Sequence, residues 1–260
     1  MSKNLLLFLV FFLYYLSGCH RFSTYSEPAS SESDSEVLSE MFHTAAVGDT
    51  ITFGQYEQDA DPSNGSEDIE WTVLDRQPDK LLLLSKYVLD AKLYNDVWAE
   101  VTWETCSIRN WLNTTFLDTA FSVNEQEWIF SSSLSNPENP RYHIAGGDPT
   151  QDSVFLLSYQ EAYTYYDNDH NYKARNTIPT RYAYLQGCSC YSLTDIMRYS
   201  YANGDEYRDT DVSCFWWLRT PGCASSCAAV IDGTGSIDYF GVSASQEPIG
   251  IRPALWVKLN

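Results

Sequence analysis

The sequence predicts an α+β domain with antiparallel sheets and short helices. Three observations carry this. Strand-like segments gather toward the two ends of the chain. Helix-start signatures fall between them. No repeat of fixed period is present, and strands at both ends with helices between them are the order of an α+β domain. Two hundred and sixty residues with 44% hydrophobic content are enough for one sizeable core.

The elements follow in chain order. Residues 50–53 read as a strand closed by Gly54, and residues 69–74 alternate at period two, as a half-buried strand does. Residues 75–79 turn it, with Pro78 as the breaker, into the continuous apolar run 81–85, a central strand. Residues 105–113 place Ile108, Trp111 and Leu112 on one helical face. Ser122 with Glu125, and Ser158 with Glu161, are capping boxes. The second follows the apolar strand 154–157 and opens a short helix through Tyr166. Residues 187–211 are polar and Tyr-rich, and read as loop with a short helix. The last third is β: 215–219, 228–232, 236–239 and 251–257, with Asp232-Gly233-Thr234-Gly235 as a hairpin turn. The aromatic run Cys214-Phe215-Trp216-Trp217-Leu218-Arg219-Thr220-Pro221 is the expected organising strand, with residues 250–257 as its expected neighbour.

Residues 1–18 stand apart from the fold. Lys3 precedes a dozen apolar residues, too short to span a bilayer but suited to a signal-peptide core. Leu16-Ser17-Gly18-Cys19 resembles a bacterial lipobox, which implies lipidation of Cys19, a membrane partner through the N-terminal lipid, and a cell-envelope location facing outward from the cytoplasm. Residues 19–45, rich in Ser and Glu, read as a disordered tether. Residues 46–260 then form the domain.

The net charge of −19 and the lack of a basic patch exclude nucleic acid as a partner. Six cysteines follow Cys19: Cys106, Cys188, Cys190, Cys214, Cys223 and Cys227. An even number in an exported chain favours disulfides, for which Cys188, Cys190, Cys223 and Cys227 are the candidates. Cys188 and Cys190 are too close to pair with each other. Free thiols, or a zinc site made of Cys188-x-Cys190 and Cys223-x-x-x-Cys227, remain open readings. Asp59, Asp61, Ser63, Glu67 and Glu70 have the spacing of a calcium loop, although Gly65 sits one place late and the flanks read as strands; a solvated acidic turn is the other reading.

Several segments together resemble one bacterial family. They are Phe53-Gly54-Gln55-Tyr56, Ile69-Glu70-Trp71, Thr102-Trp103-Glu104-Thr105-Cys106 running to Arg109-Asn110-Trp111-Leu112-Asn113, and Ala120-Phe121-Ser122 with Glu125. Asp152 with Val154-Phe155-Leu156-Leu157-Ser158, Trp216-Trp217-Leu218-Arg219-Thr220-Pro221-Gly222 and Arg252-Pro253-Ala254-Leu255-Trp256 complete the set. This ordered set is similar to domain-of-unknown-function family 6273, over roughly residues 46–260. The resemblance implies a fold related to C-type lectins and to formylglycine-generating proteins, and no established activity.

On that fold, loops over a rigid scaffold would bind an extracellular glycan or protein. The candidate face is Tyr199, Tyr201, Asn203, Tyr207, Tyr239, Ser243, Ser245 and Gln246, where aromatic faces and amide or hydroxyl groups suit sugars. A protein-docking role in the envelope is the alternative, and a copper-dependent oxidase a weaker one. Acid–base chemistry has thin support: the domain has only His143 and His170, with no Gly-x-Ser-x-Gly and no His-Glu-x-x-His. Arg109, Arg219 and Arg252 sit inside apolar motifs and are expected to be buried on carbonyls or carboxylates.

Overall fold

The computed structural model describes residues 31–166, 172–191 and 213–259. It opens with helix α1 (Ser31–Thr44), which overturns the tether reading in its second half. The Ser/Glu composition hides a spacing: Leu38, Met41 and Phe42 fall at i, i+3 and i+4, on one face. Phe42 is fully buried, edge-on to Phe53 (5.3 Å) and Trp128 (5.6 Å). The Arg76 guanidinium donates to the carbonyls of Phe42, His43 and Ala45, so it closes the C-terminal end of α1.

Strands β1 (Thr50–Tyr56), β2 (Glu67–Arg76) and β3 (Lys80–Ser85) form an antiparallel meander where the alternating segments were read. β1 runs three residues past the expected stop because Gly54, at φ +70, carries a bulge through the strand. Strand β4 (Asp90–Lys92) leaves for a second sheet. The expected helix is a longer helical run: α2 (Ser107–Trp111), a π-helical turn (Leu112–Phe116) and α3 (Leu117–Ala120). Helix α4 (Val123–Gln126) starts at the Ser122–Glu125 capping box.

Four short strands follow, β5 (Ile129–Phe130), β6 (Ser132–Leu134), β7 (Thr150–Asp152) and β8 (Val154–Phe155). Helix α5 (Tyr159–Thr164) begins at the Ser158–Glu161 capping box, and α6 (Arg181–Leu185) at the Thr180 cap. Strands β9 (Cys190–Tyr191) and β10 (Ser213–Cys214) form a two-stranded ribbon. The chain ends with β11 (Trp216–Pro221), β12 (Cys227–Ile231), β13 (Ile237–Ser243), β14 (Ile249–Ile251) and β15 (Ala254–Lys258).

Two sheets carry the core. The first has the order β1-β2-β3-β15-β5, with β8 also on β15; the second is β13-β12-β11-β14-β4. The expected C-terminal strand is split at Arg252-Pro253. Its first piece, β14, joins β11 in parallel at Trp216↔Gly250, while β15 crosses to β3 in the first sheet. Four fully buried tryptophans fill the interior, and each indole N–H has an acceptor: Trp71 on Phe53 O, Trp103 on Asp152, Trp216 on Arg175 O and Trp217 on Lys92 O.

The three motif arginines meet carbonyls and carboxylates as expected, with Arg219 and Arg252 buried and Arg109 partly exposed. Arg109 Nε donates to buried Asp152 at 2.6 Å, and Arg252 Nε to Ser85 O at 2.7 Å. Arg219 holds both Glu161 oxygens and the carbonyls of Leu156 and Ser135. No described helix is long and apolar enough to cross a membrane.

Candidate functional site

A platform of rings stands on the edge of the second sheet, where β13 is the outer strand. The register of β13 on β12 jumps from Ala228↔Val242 to Val230↔Asp238. Tyr239, Phe240 and Gly241 therefore oppose the single residue Ala229, and the strand bulges and re-aims its side chains. Gly241 makes this feasible: its φ is +72, and a Cβ there would lie 2.2 Å from Ala228 O. Phe240 is left 60% exposed, beside half-buried Tyr239.

Asn139 fastens a second segment over this bulge. Its side chain is fully buried, and its amide nitrogen donates to Pro221 O (2.8 Å), Gly222 O (3.1 Å) and Tyr239 O (2.8 Å). Its oxygen accepts from the backbone N–H groups of Arg141 (2.9 Å) and Tyr142 (3.1 Å). This Asx turn sets two side chains against the bulge. The Arg141 guanidinium lies over the Tyr239 ring at 4.3 Å, and Tyr142 meets Phe240 edge-on at 6.0 Å. Tyr159, at the start of α5, packs edge-on to Tyr239 at 5.8 Å. Four rings and a guanidinium thus share one partly exposed surface, held from below by backbone bonds. Such a surface offers flat apolar faces with hydroxyl and cationic groups at the rim.

The expected ligand residues divide. Tyr239 is in the platform. Ser243 ends β13, and Ser245 and Gln246 lie in the turn after it, which is pinned by Asn95 N–H to Ala244 O at 2.8 Å. The 94–101 segment that makes this contact carries Trp98, 77% exposed. Tyr199, Tyr201, Asn203 and Tyr207 lie outside the described residues, as does His170. Asn139, Arg141 and Tyr142 were not anticipated, and Phe240 was not among the named ligand residues. The turn-forming Asn-Pro-Glu-Asn-Pro run at 136–140 was the available local signal, but the carbonyls that Asn139 holds are 82 to 100 residues away.

The residues with calcium-loop spacing divide. The loop joins β1 to β2, as its strand-like flanks suggested. Glu70 points from β2 to Lys86 at 3.1 Å, and Asp61 closes on Ser63. Asp59 and Glu67 do approach each other, joined by Glu57. Glu67 already accepts from the N–H groups of Gln58 and Asp59. Burial and the Glu67 charge push the Glu57 carboxyl up.

The cysteines also depart from expectation. All six described thiols are free, and no disulfide joins Cys188, Cys190, Cys223 or Cys227. The partner of Cys188 and Cys190 is Cys214, with all three sulfurs within 4.8 Å of one another. S–H donors from Cys188 and Cys214 pull the Cys190 thiol down to about 4. Cys188 is pushed up by its bond to Cys190, and Cys214 by burial. Cys223 is raised by desolvation and by neighbouring Cys227 across the β11–β12 hairpin. Cys106 is alone, pushed up by burial to about 12.

A hollow of about 350 Å³ beside β5 and β6 is lined by Lys80, Phe130, Trp256 and Arg219. Its guanidinium is already taken by Glu161 and two carbonyls, and only Nε lacks an acceptor.

The family model described as Domain of unknown function (DUF6273) matches residues 78–259. The chain belongs to this family. The match includes every platform residue, the three clustered cysteines and all of the second sheet. It begins later than the motifs suggested, so β1 and β2, with Phe53-Gly54-Gln55-Tyr56 and Ile69-Glu70-Trp71, precede it. No curated protein and no solved structure matches the chain significantly.

Proposed function

We propose that this chain is a lipid-anchored bacterial envelope protein whose C-type-lectin-like domain binds an extracellular glycan on the ring platform. The observation that supports it is the outward bulge of β13, which exposes Phe240 and Tyr239 beside Tyr142 and Arg141 on a braced backbone. Sugar rings pair C–H faces with aromatic faces and hydroxyls with polar rims, and both are offered here. The chain's charge of −19 favours a neutral glycan over a polyanionic one. Lipidation of Cys19 is supported by the sequence around it, and would set the platform outside the cytoplasm.

The test is a glycan array on the full chain in detergent, followed by titration calorimetry with any hit. Phe240→Ala and Tyr142→Ala should each weaken a genuine hit by about tenfold or more, the equivalent of ~1.4 kcal/mol. Their melting temperatures should stay near the parent's, since both rings are exposed. A silent array, or hits indifferent to both substitutions, would refute the reading and turn attention to protein docking.

A further inference from the structure

We propose that Cys188, Cys190 and Cys214 form a zinc-class site, supplying three sulfur ligands to one closed-shell thiophilic cation. The backbone brings them together. Cys190 and Cys214 are direct partners in the β9–β10 register. Cys188 precedes Cys190 by two residues, the spacing that returns side chains to one face of an extended chain. Sulfur positions are further fixed by carbonyls: Cys214 Sγ lies 3.4 Å from Thr177 O, and Cys190 Sγ 3.5 Å from Cys188 O. Gly250 of β14 walls the cluster, where a Cβ would sit 3.1 Å from Cys188 Sγ.

The dimensions fit. Zn–S bonds of about 2.3 Å in a tetrahedral site put sulfurs about 3.8 Å apart. The three sulfurs already lie within 4.8 Å of one another. Closing on an ion therefore asks about 0.6 Å of each sulfur when all three pairs start at that limit, within the reach of small side-chain rotations.

Parity argues against a disulfide role. The described cysteines sort into a trio, a hairpin pair (Cys223 with Cys227) and a single buried thiol (Cys106). A disulfide within the trio would strand one sulfur, whereas one ion engages all three. The cluster shares no residue with the ring platform, and two of its cysteines lie on the β9–β10 ribbon, which is separate from the sheet that carries β13. It does not depend on the glycan reading.

The experiment is metal titration of the reduced full chain in detergent, with zinc alone against a chromophoric chelator and cobalt(II) as the spectroscopic substitute. The expected result is one ion per chain, near-ultraviolet sulfur-to-cobalt charge-transfer bands, and a zinc-dependent rise in melting temperature. Cys188→Ser, Cys190→Ser and Cys214→Ser should each abolish the bands and the rise, while Cys223→Ser and Cys227→Ser keep both. Melting of each metal-free variant against the metal-free parent separates lost ligation from lost folding. If a variant does not fold, the corresponding Cys→Ala protein replaces it. No stoichiometric uptake by the reduced parent, or undiminished uptake by Cys214→Ser, would overturn the assignment. So would a Cys190–Cys214 disulfide that persists in excess zinc under reducing buffer.

Discussion

Asn139→Ala removes the brace under the ring platform, and its cost follows from its partners. The amide donates to three carbonyls and accepts from two backbone N–H groups. The two N–H groups belong to exposed residues, Arg141 and Tyr142, and water replaces their lost acceptor. The carbonyls of buried Pro221 and Gly222 have less access to water. A buried polar group left unpaired costs about 1–3 kcal/mol. Two such groups, plus a small cavity, put the loss at about 3 kcal/mol. That corresponds to roughly 6–12 °C in melting temperature for a domain of this size. Urea unfolding with an unchanged m-value is the assay, paired with hydrogen exchange at Arg141 and Tyr142. A loss below about 0.5 kcal/mol, the level of an ordinary surface change, would refute the reasoning. So would undisturbed protection of those two amides.

Other outcomes are expected. Gly241→Ala meets both a positive φ and a 2.2 Å clash with Ala228 O, so it should cost about 2 kcal/mol or more and disorder the bulge, as read by thermal unfolding and exchange at Phe240. Arg219→Met breaks a buried pair with Glu161 and uncovers its capping box; a loss of about 3 kcal/mol is expected, and ligand binding lost with an unchanged melting temperature would refute the structural role. Asp90 titrates above the usual carboxylate range, chiefly through burial, with Lys92 and Tyr56 opposing. A raised carboxyl stabilises most fully below its unfolded value near ~3.9 and loses that contribution as pH rises through its folded value. Asp90→Asn should therefore gain on the parent as pH rises from about 4 to about 7 in urea unfolding; identical pH slopes would count against it.

The parts of the fold legible in the sequence were those set by local pattern. The β1–β3 meander follows from alternation and a turn, and two helices start where Ser122 with Glu125 and Ser158 with Glu161 mark them. Long-range placement was not legible. Nothing local to Arg252-Pro253 says that its two sides join different sheets, and nothing near Cys188 points 26 residues on to Cys214 and not to Cys223. The ring platform was half legible: Tyr239 could be named, but the strand was read only to residue 239, short of Gly241 and its bulge. Its partner segment could not be named, because the bonds of Asn139 close across the whole second half of the chain.

Helix α1 would change the mechanics of the proposed attachment. With Phe42 locked between Phe53 and Trp128, the folded body begins at Ser31 and not after residue 45. Only twelve peptide steps separate Cys19 from Ser31. Fully stretched at about 3.5 Å each, they give a leash no longer than about 42 Å. A lipid on Cys19 would thus moor the domain at less than half the reach of a leash running to residue 45. The area of envelope it could sweep would shrink with the square of that radius, so any target would have to lie close to the membrane surface.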